Sequence, residues 1–455
     1  MEYGENSCKD IKICYIGGGS QGWAWKLMSD LHMEKSLSGT ISLYDIDHEA
    51  AKINALIGNT ISSYEGTRGN WEYQSVASLE EGLRGADFVI ISILPGTFKE
   101  MYSDVHTPEK YNIFQSVGDT IGPGGLLRAL RTIPMYEIIA NAIKTYAKDA
   151  WVINYTNPMS ICVGALYATF PEIKAFGCCH EVFGAQRLLS MALKEFEGIG
   201  ETDRHELRTN VLGINHFTWI DQASYKHYDL MPIYSKFVDR YFEKGVVDKE
   251  TEGPFMSLNK VKFDLYKRYG IIAAAGDRHL AEFVPDYIRD KETVQKWGYQ
   301  LTSVDWRIKN KEYLIELSKA YANRKKVIPI EASGEEGVRQ IKALVGLGDL
   351  MTNVNLPNQY QFSCNQKVVV ETNAFFTKDS VRPLIAGELP DEINVMMETH
   401  MSNQSIILKA GLTRDLKLAF AAFINDPLVK NISNSQAQAL FDEMLMNTRA
   451  YLTTY

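Results

Sequence analysis

The run Gly17-Gly18-Gly19-Ser20-Gln21-Gly22 has the spacing G-x-G-x-x-G, directly after an apolar strand pattern and directly before a helical one. In that setting the chemistry is dinucleotide binding. Gly17 permits a tight turn, Gly19 admits a pyrophosphate to the backbone, and Gly22 lets helix and strand pack closely. Ser20 and Gln21 complete the loop, and the helix beyond offers unpaired N–H groups and the positive end of its dipole. Asp45 ends the second strand pattern in Leu43-Tyr44-Asp45-Ile46-Asp47, where a carboxylate accepts from both ribose hydroxyls and repels a 2′-phosphate. The pattern therefore predicts NAD rather than NADP; the plainer alternative is an acidic helix cap at Asp45 or Asp47.

Ligands of doubly wound sheets lie outside the carboxyl ends of the strands. Beyond the apolar run Phe88–Leu94 comes Gly118-Asp119-Thr120-Ile121-Gly122-Pro123-Gly124-Gly125, then Arg128 and Arg131 at helical spacing. Thr156-Asn157-Pro158 follows Trp151–Tyr155, and Gly177-Cys178-Cys179-His180-Glu181 follows Lys174–Phe176. Each has a structural explanation when taken alone. Asn157 suits a helix cap, Asp119 a brace for its glycine loop, and the two arginines a solvated helical face. Strand alternation points Cys178 into the sheet and Cys179 toward the crevice. Asn215-His216 lies between two strand patterns, where a single histidine is more often a core residue than a ligand. In Ala275-Gly276-Asp277-Arg278-His279-Leu280-Ala281-Glu282-Phe283, four ionisable residues crowd an apolar stretch, a density costly to bury unless the groups are paired.

The elements that must carry these residues alternate strand and helix, the signature of a parallel sheet. Strands are predicted at Ile11–Ile16, Ile41–Tyr44, Phe88–Leu94, Trp151–Tyr155 and Lys174–Cys178, and helices at Gln21–His32, His48–Ser62, Leu126–Ala147 and Pro158–Thr169. From about residue 205 the character changes, with strand patterns at Leu207–Ile214 and Trp219–Tyr225 followed by long helical stretches. The expectation is an α/β chain: a Rossmann-like doubly wound domain over residues 1–204, then a mixed α+β domain over 205–455 for substrate, metal and oligomerisation.

Across 455 residues, 48 Lys and Arg stand against 56 Asp and Glu, a formal charge of −8 that argues against a nucleic-acid or anionic-membrane surface. No apolar run approaches the ~20 residues of a membrane span. The N-terminus lacks a signal-peptide pattern, and the six cysteines show no disulfide framework. A cytoplasmic location with free thiols is expected.

At these motifs the chain resembles the NAD- and divalent-metal-dependent glycosidases of glycoside hydrolase family 4. The likeness covers the Gly17–Gly22 turn, Gly118–Gly125, Asn154–Pro158, Cys179-His180, Gly213–Trp219 and Gly276–Pro285. The wording from Gly177 to Gly184 and from Gly276 to Phe283 is most similar to the α-galacturonidase branch. The resemblance implies an unusual route without the carboxylate pair of other glycosidases: NAD⁺ takes hydride from C3, the acidified C2 proton is removed, the leaving group departs by elimination, and water adds before the steps reverse. It implies Mn²⁺ on Cys179 and His216, a sugar contact at Asn157, and a homodimer or homotetramer; Asp119 is a candidate for a sugar hydroxyl or for the leaving-group side.

His180 stands where some members carry an acidic aspartate, so it is either the acid or a residue that orients water or substrate. Asp277 is the candidate base at C2, with His279 and a nearby tyrosine open. Arg278 is the first choice for the C5 carboxylate of a uronic acid, ahead of Arg128 and Arg131, unless it pairs with Asp277 or Glu282; His279 is a further substrate contact. The competing expectations are α-glucuronidase or another family 4 α-glycosidase, a 2-hydroxyacid dehydrogenase that converts NAD⁺ stoichiometrically, and a non-enzymatic NAD-binding protein.

Overall fold

The computed structural model describes residues 1–247, 253–364 and 367–455. Its strands in chain order are β1 Glu2–Tyr3, β2 Cys8–Ile16, β3 Leu37–Tyr44, β4 Asn70–Ser75, β5 Phe88–Ile91, β6 Trp151–Asn154 and β7 Lys174–Gly177. There follow β8 Leu207–Ile214, β9 Phe217–Tyr225, β10 Tyr228–Asp229, β11 Ile272–Ala273, β12 Leu350–Pro357, β13 Val369–Thr377 and β14 Ser380–Pro383.

Six parallel strands run in the order β7-β6-β5-β2-β3-β4, with apolar residues directed to both faces. In β2, Cys14 and Ile16 join one core while Ile13 and Tyr15 join the other; in β5, Val89 and Ile91 oppose Phe88 and Ile90 in the same way. This is the two-residue alternation of a sheet covered on both sides. Helices Trp23–Met33 and His48–Ser62 cover one face, and Gly122–Tyr146, Met159–Thr169 and Asp391–Thr413 the other. The predicted strand Phe88–Leu94 stops at Ile91, because the chain must turn where the Ser92 carbonyl meets the glycine loop.

The sheet does not end with the first half of the chain. β12 runs antiparallel beside β7, and β13 and β14 extend it. The expected division at residue 204 falls between the last parallel strand and a second, antiparallel sheet of β8, β9, β10 and β11, and strands from beyond it return to the first sheet. β8 and β9 form a hairpin in which Ile214 pairs with Phe217, so Asn215 and His216 are its turn. Among the described residues no helix is long and apolar enough to cross a membrane.

The arginines expected on a solvated helical face are instead buried. Arg131 makes a two-pronged ion pair with Asp104, its Nη1 3.0 Å from Oδ1, and both side chains are 1% exposed. Arg128 donates from Nε to the Asn157 carbonyl at 2.9 Å. Removing one member of a buried pair strands its partner's charge. Asp104→Ala should therefore cost about 3 kcal/mol of stability, read as a lower urea midpoint; a change under about 1 kcal/mol, the size of an exposed pair, would contradict this account.

Candidate active site

The glycine turn is shaped as its spacing predicts. Gly17 has φ 94°, and a Cβ there would lie 2.0 Å from the Ser92 carbonyl oxygen, so no other residue fits. The Asp45 carboxylate, just past β3, accepts from the Gly19 N–H at 2.9 Å and from the Asp47 N–H at 2.9 Å. Ser20 N–H donates to the Gly17 carbonyl. Gly22 precedes helix Trp23–Met33, whose first turn has neither a capping side chain nor an acidic residue. Its N–H groups thus suit a pyrophosphate, and Gln21 stands at the loop's open end, half-buried.

The second group assembles from three distant segments. Glu282, in helix Asp277–Phe283, accepts from the backbone N–H groups of Val117 and Gly118 at 2.7 and 2.9 Å, which fastens the glycine-rich loop that carries Asp119. Asp119 accepts from its neighbour Thr120 Oγ1 at 2.7 Å and from Asn157 Nδ2 at 3.2 Å. Thr120 Oγ1 also lies 2.7 Å from His216 Nδ1. A hydroxyl has one proton, so if it serves Asp119, His216 Nδ1 carries a hydrogen and donates to Thr120. The Nε2 lone pair of His216 is then left for a ligand.

His216 holds φ 64°, a left-handed conformation unusual for a side chain of this size and of the kind that clusters at functional sites. Its ring stacks on that of His279 with centroids 3.7 Å apart. Donor atoms of Asp119, His216 and His279 all lie within 4.8 Å of one another, a set able to hold a metal ion. Burial, reinforced by His279, pushes His216 down to about 3, so it is neutral at physiological pH. Burial acts to raise the Asp119 carboxyl, but His279, Arg128 and His216 hold it well below the usual carboxylate range. Glu181 accepts from the Gly276 N–H at 2.7 Å and lies 3.6 Å from His279 Nε2. Burial opposes its ionisation, yet His279, His216 and His180 pull it down to about 2.

Other expected residues sit around this set. Cys178 faces the core and donates to Gln340 Oε1, whereas Cys179 is half-buried with its thiol against Asn215, the residue before His216. Burial, with Glu371 and Glu181 adding to it, pushes that thiol well above its ordinary value. Cys179 is not one of the three clustered donors. His180 Nδ1 lies 3.2 Å from Glu335, and that contact outweighs burial to raise the imidazole. Asp277 turns away from the role expected of it: its two oxygens accept from the N–H groups of Val261 and Lys262, capping the helix Lys260–Tyr269. Arg278 pairs with neither Asp277 nor Glu282; it donates to the carbonyls of Ser116 at 2.9 Å and Gln300 at 3.2 Å.

Sequence reasoning passed over Glu335 and Glu371, since both reach the site from late segments with no motif of their own. Glu371, on β13, accepts from Asn353 Nδ2 at 2.7 Å and Asn215 Nδ2 at 3.1 Å, which holds the hairpin turn from behind. Several buried atoms here lack a partner among the described residues: His279 Nδ1, Asn157 Oδ1, Asn215 Oδ1 and Glu282 Oε2. Orphans of this kind mark a place for a ligand or ion.

This arrangement, a turn that suits a dinucleotide and a set able to hold a cation, agrees with what the chain is similar to. The model of family 4 glycosyl hydrolases matches residues 12–195, and that of their C-terminal domain matches residues 211–429. The chain belongs to the family 4 glycosyl hydrolases. Its relatives include the alpha-galacturonidase of Thermoanaerobacter italicus, 61% identical over 99% of both chains. The crystal structure of lplD from Bacillus subtilis covers 96% of this chain and 100% of its own at 49% identity, with a TM-score of 0.92. A 6-phospho-alpha-glucosidase from gut microorganisms, in complex with NAD and Mn²⁺, shares the fold at TM-score 0.81 and 18% identity, over 97% of this chain and 99% of that one. In this family 4 enzyme the Thr120 hydroxyl orients the His216 ring. Thr120→Val should weaken Mn²⁺ binding roughly 10- to 100-fold by calorimetry while NAD⁺ affinity holds; unchanged Mn²⁺ affinity would contradict that role.

Proposed function

We propose that this enzyme hydrolyses α-galacturonides with NAD on the Gly17–Gly22 turn and Mn²⁺ at His216. The observation that carries the reading is the convergence of Asp119, His216 and His279 on one rim of a sheet whose first turn suits a dinucleotide. End-to-end likeness to an alpha-galacturonidase supplies the substrate class. When bound, NAD⁺ supplies a reversible two-electron acceptor for C3 of the sugar, and the divalent cation supplies a fixed positive charge for the oxygens on C2 and C3.

The chain's own residues supply the rest. His216 would hold the cation through Nε2, with Asp119 and, as the family resemblance implies, Cys179 as further donors. Asn157, whose Oδ1 has no partner among the described residues, holds a sugar hydroxyl. His180, braced by Glu335, gives a proton to the departing glycosidic oxygen. His279 replaces Asp277 as the base at C2: its Nδ1 is buried and unpartnered among the described residues, and Glu181 steadies the opposite ring nitrogen.

Hydrolysis of an aryl α-galacturonide in D₂O, with NAD⁺, Mn²⁺ and a thiol reductant, should place deuterium at C2 of the released sugar without net NADH. Retention of protium at C2 would contradict proton removal there. Cleavage of the glucuronide in place of the galacturonide would move the substrate to the C4 epimer.

A further inference from the structure

We infer that Arg307 is the residue that reads the C5 carboxylate of the uronide, an inference that rests on the α-galacturonide reading. Two other arginines withdrawn from water each grip an acid: Arg131 holds Asp104, and Arg204 holds Glu336. Arg307, in the first turn of the helix Val304–Ala322, is half-buried, yet its guanidinium makes no hydrogen bond or ion pair with any described residue. Its backbone N–H donates to the Ser303 carbonyl. Half-buried and without a carboxylate partner among the described residues, its planar fork is left free to match the two oxygens of a carboxylate.

The surroundings direct it to the site. The helix start docks on the N-terminal half, with Val304 N–H donating to His106 Nε2 at 3.3 Å. Next to Arg307, Trp306 meets Phe255 edge-on at 5.3 Å, and the Arg278 guanidinium lies 5.2 Å from the centre of that same Phe255 ring. Arg278 and Arg307 lie close enough to repel each other, and Asp119, Arg128 and Glu282 are the other charges that act on Arg307. Arg278 has donors committed to the Ser116 and Gln300 carbonyls, and Arg128 has one committed to the Asn157 carbonyl. Those two arginines tie loops together; Arg307 has its whole fork to offer. In a hexuronide ring, C5 lies across from C2 and C3. A sugar with those two carbons at the Asp119, His216 and His279 set directs its carboxylate away from that set, and Arg307 is the guanidinium positioned to meet it.

The test compares competitive inhibition of the Mn²⁺- and NAD⁺-loaded enzyme by D-galacturonate and by D-galactose, with Mn²⁺ binding followed by paramagnetic resonance. Arg307→Gln should raise the inhibition constant for galacturonate on the order of 100-fold, leave that for galactose within about twofold, and preserve Mn²⁺ binding. Arg307→Lys keeps the charge and stem but loses the fork, and should fall between. An unchanged galacturonate constant in both variants would overturn the assignment, as would equal losses for both sugars or a loss of Mn²⁺ binding. A wild-type enzyme that cleaves no galacturonide and is inhibited by neither sugar would overturn the substrate reading itself, and this assignment with it.

Discussion

The 2.7 Å contact between Thr120 Oγ1 and His216 Nδ1 joins two halves of the chain across 96 residues. It fixes the His216 ring against the loop that carries Asp119. Thr120 belongs to the loop that leads into helix Gly122–Tyr146, and so reports the position of the parallel sheet. His216 occupies the turn of the β8–β9 hairpin, and so reports the position of the second sheet. With the two held together, Asp119, His216 and His279 converge, with Asn157 on Asp119 and Glu181 beside His279. The left-handed backbone at His216 is tolerated because the hairpin pairs on both sides of it, Thr120 holds its ring edge and His279 covers its face.

The electrostatic design follows from burial. Asp119, Glu181 and Glu282 are withdrawn from water, and each is stabilised by a different means. Asp119 has the surrounding imidazoles and Arg128; Glu181 has the Gly276 amide and His279; Glu282 has two amides of the loop that it fastens. The ion pair of Arg131 with Asp104 is complete in itself and belongs to the framework. At the site, by contrast, His279 Nδ1, Asn157 Oδ1 and Glu282 Oε2 remain without partners among the described residues.

Much of this was legible before any coordinates. The expected strands are found within four residues of their observed ends, and the helix His48–Ser62 and strand Leu207–Ile214 coincide with expectation. Cys178 and Cys179 separate inward and outward because alternation is a local rule. What local rules cannot show is which distant segment arrives at a given edge. The return of β12 beside β7, the burial of Arg128 and Arg131, and the approach of Glu335, Glu371 and Arg307 are all set by tertiary packing. Asp277 illustrates the limit most clearly: its spacing with Arg278 and His279 suggests chemistry, but the side chain faces the amides of a helix that begins seventeen residues earlier.

In the proposed function a nucleotide would borrow electrons from the sugar ring, so that no pair of flanking carboxylates is needed. The most direct measurement is the cleavage rate of an aryl α-galacturonide after the nucleotide has been stripped from the enzyme, with Mn²⁺ retained, and again after NAD⁺ is restored. The account predicts that activity disappears and then returns with NAD⁺, without accumulation of NADH. Full-rate cleavage by the stripped enzyme would contradict it.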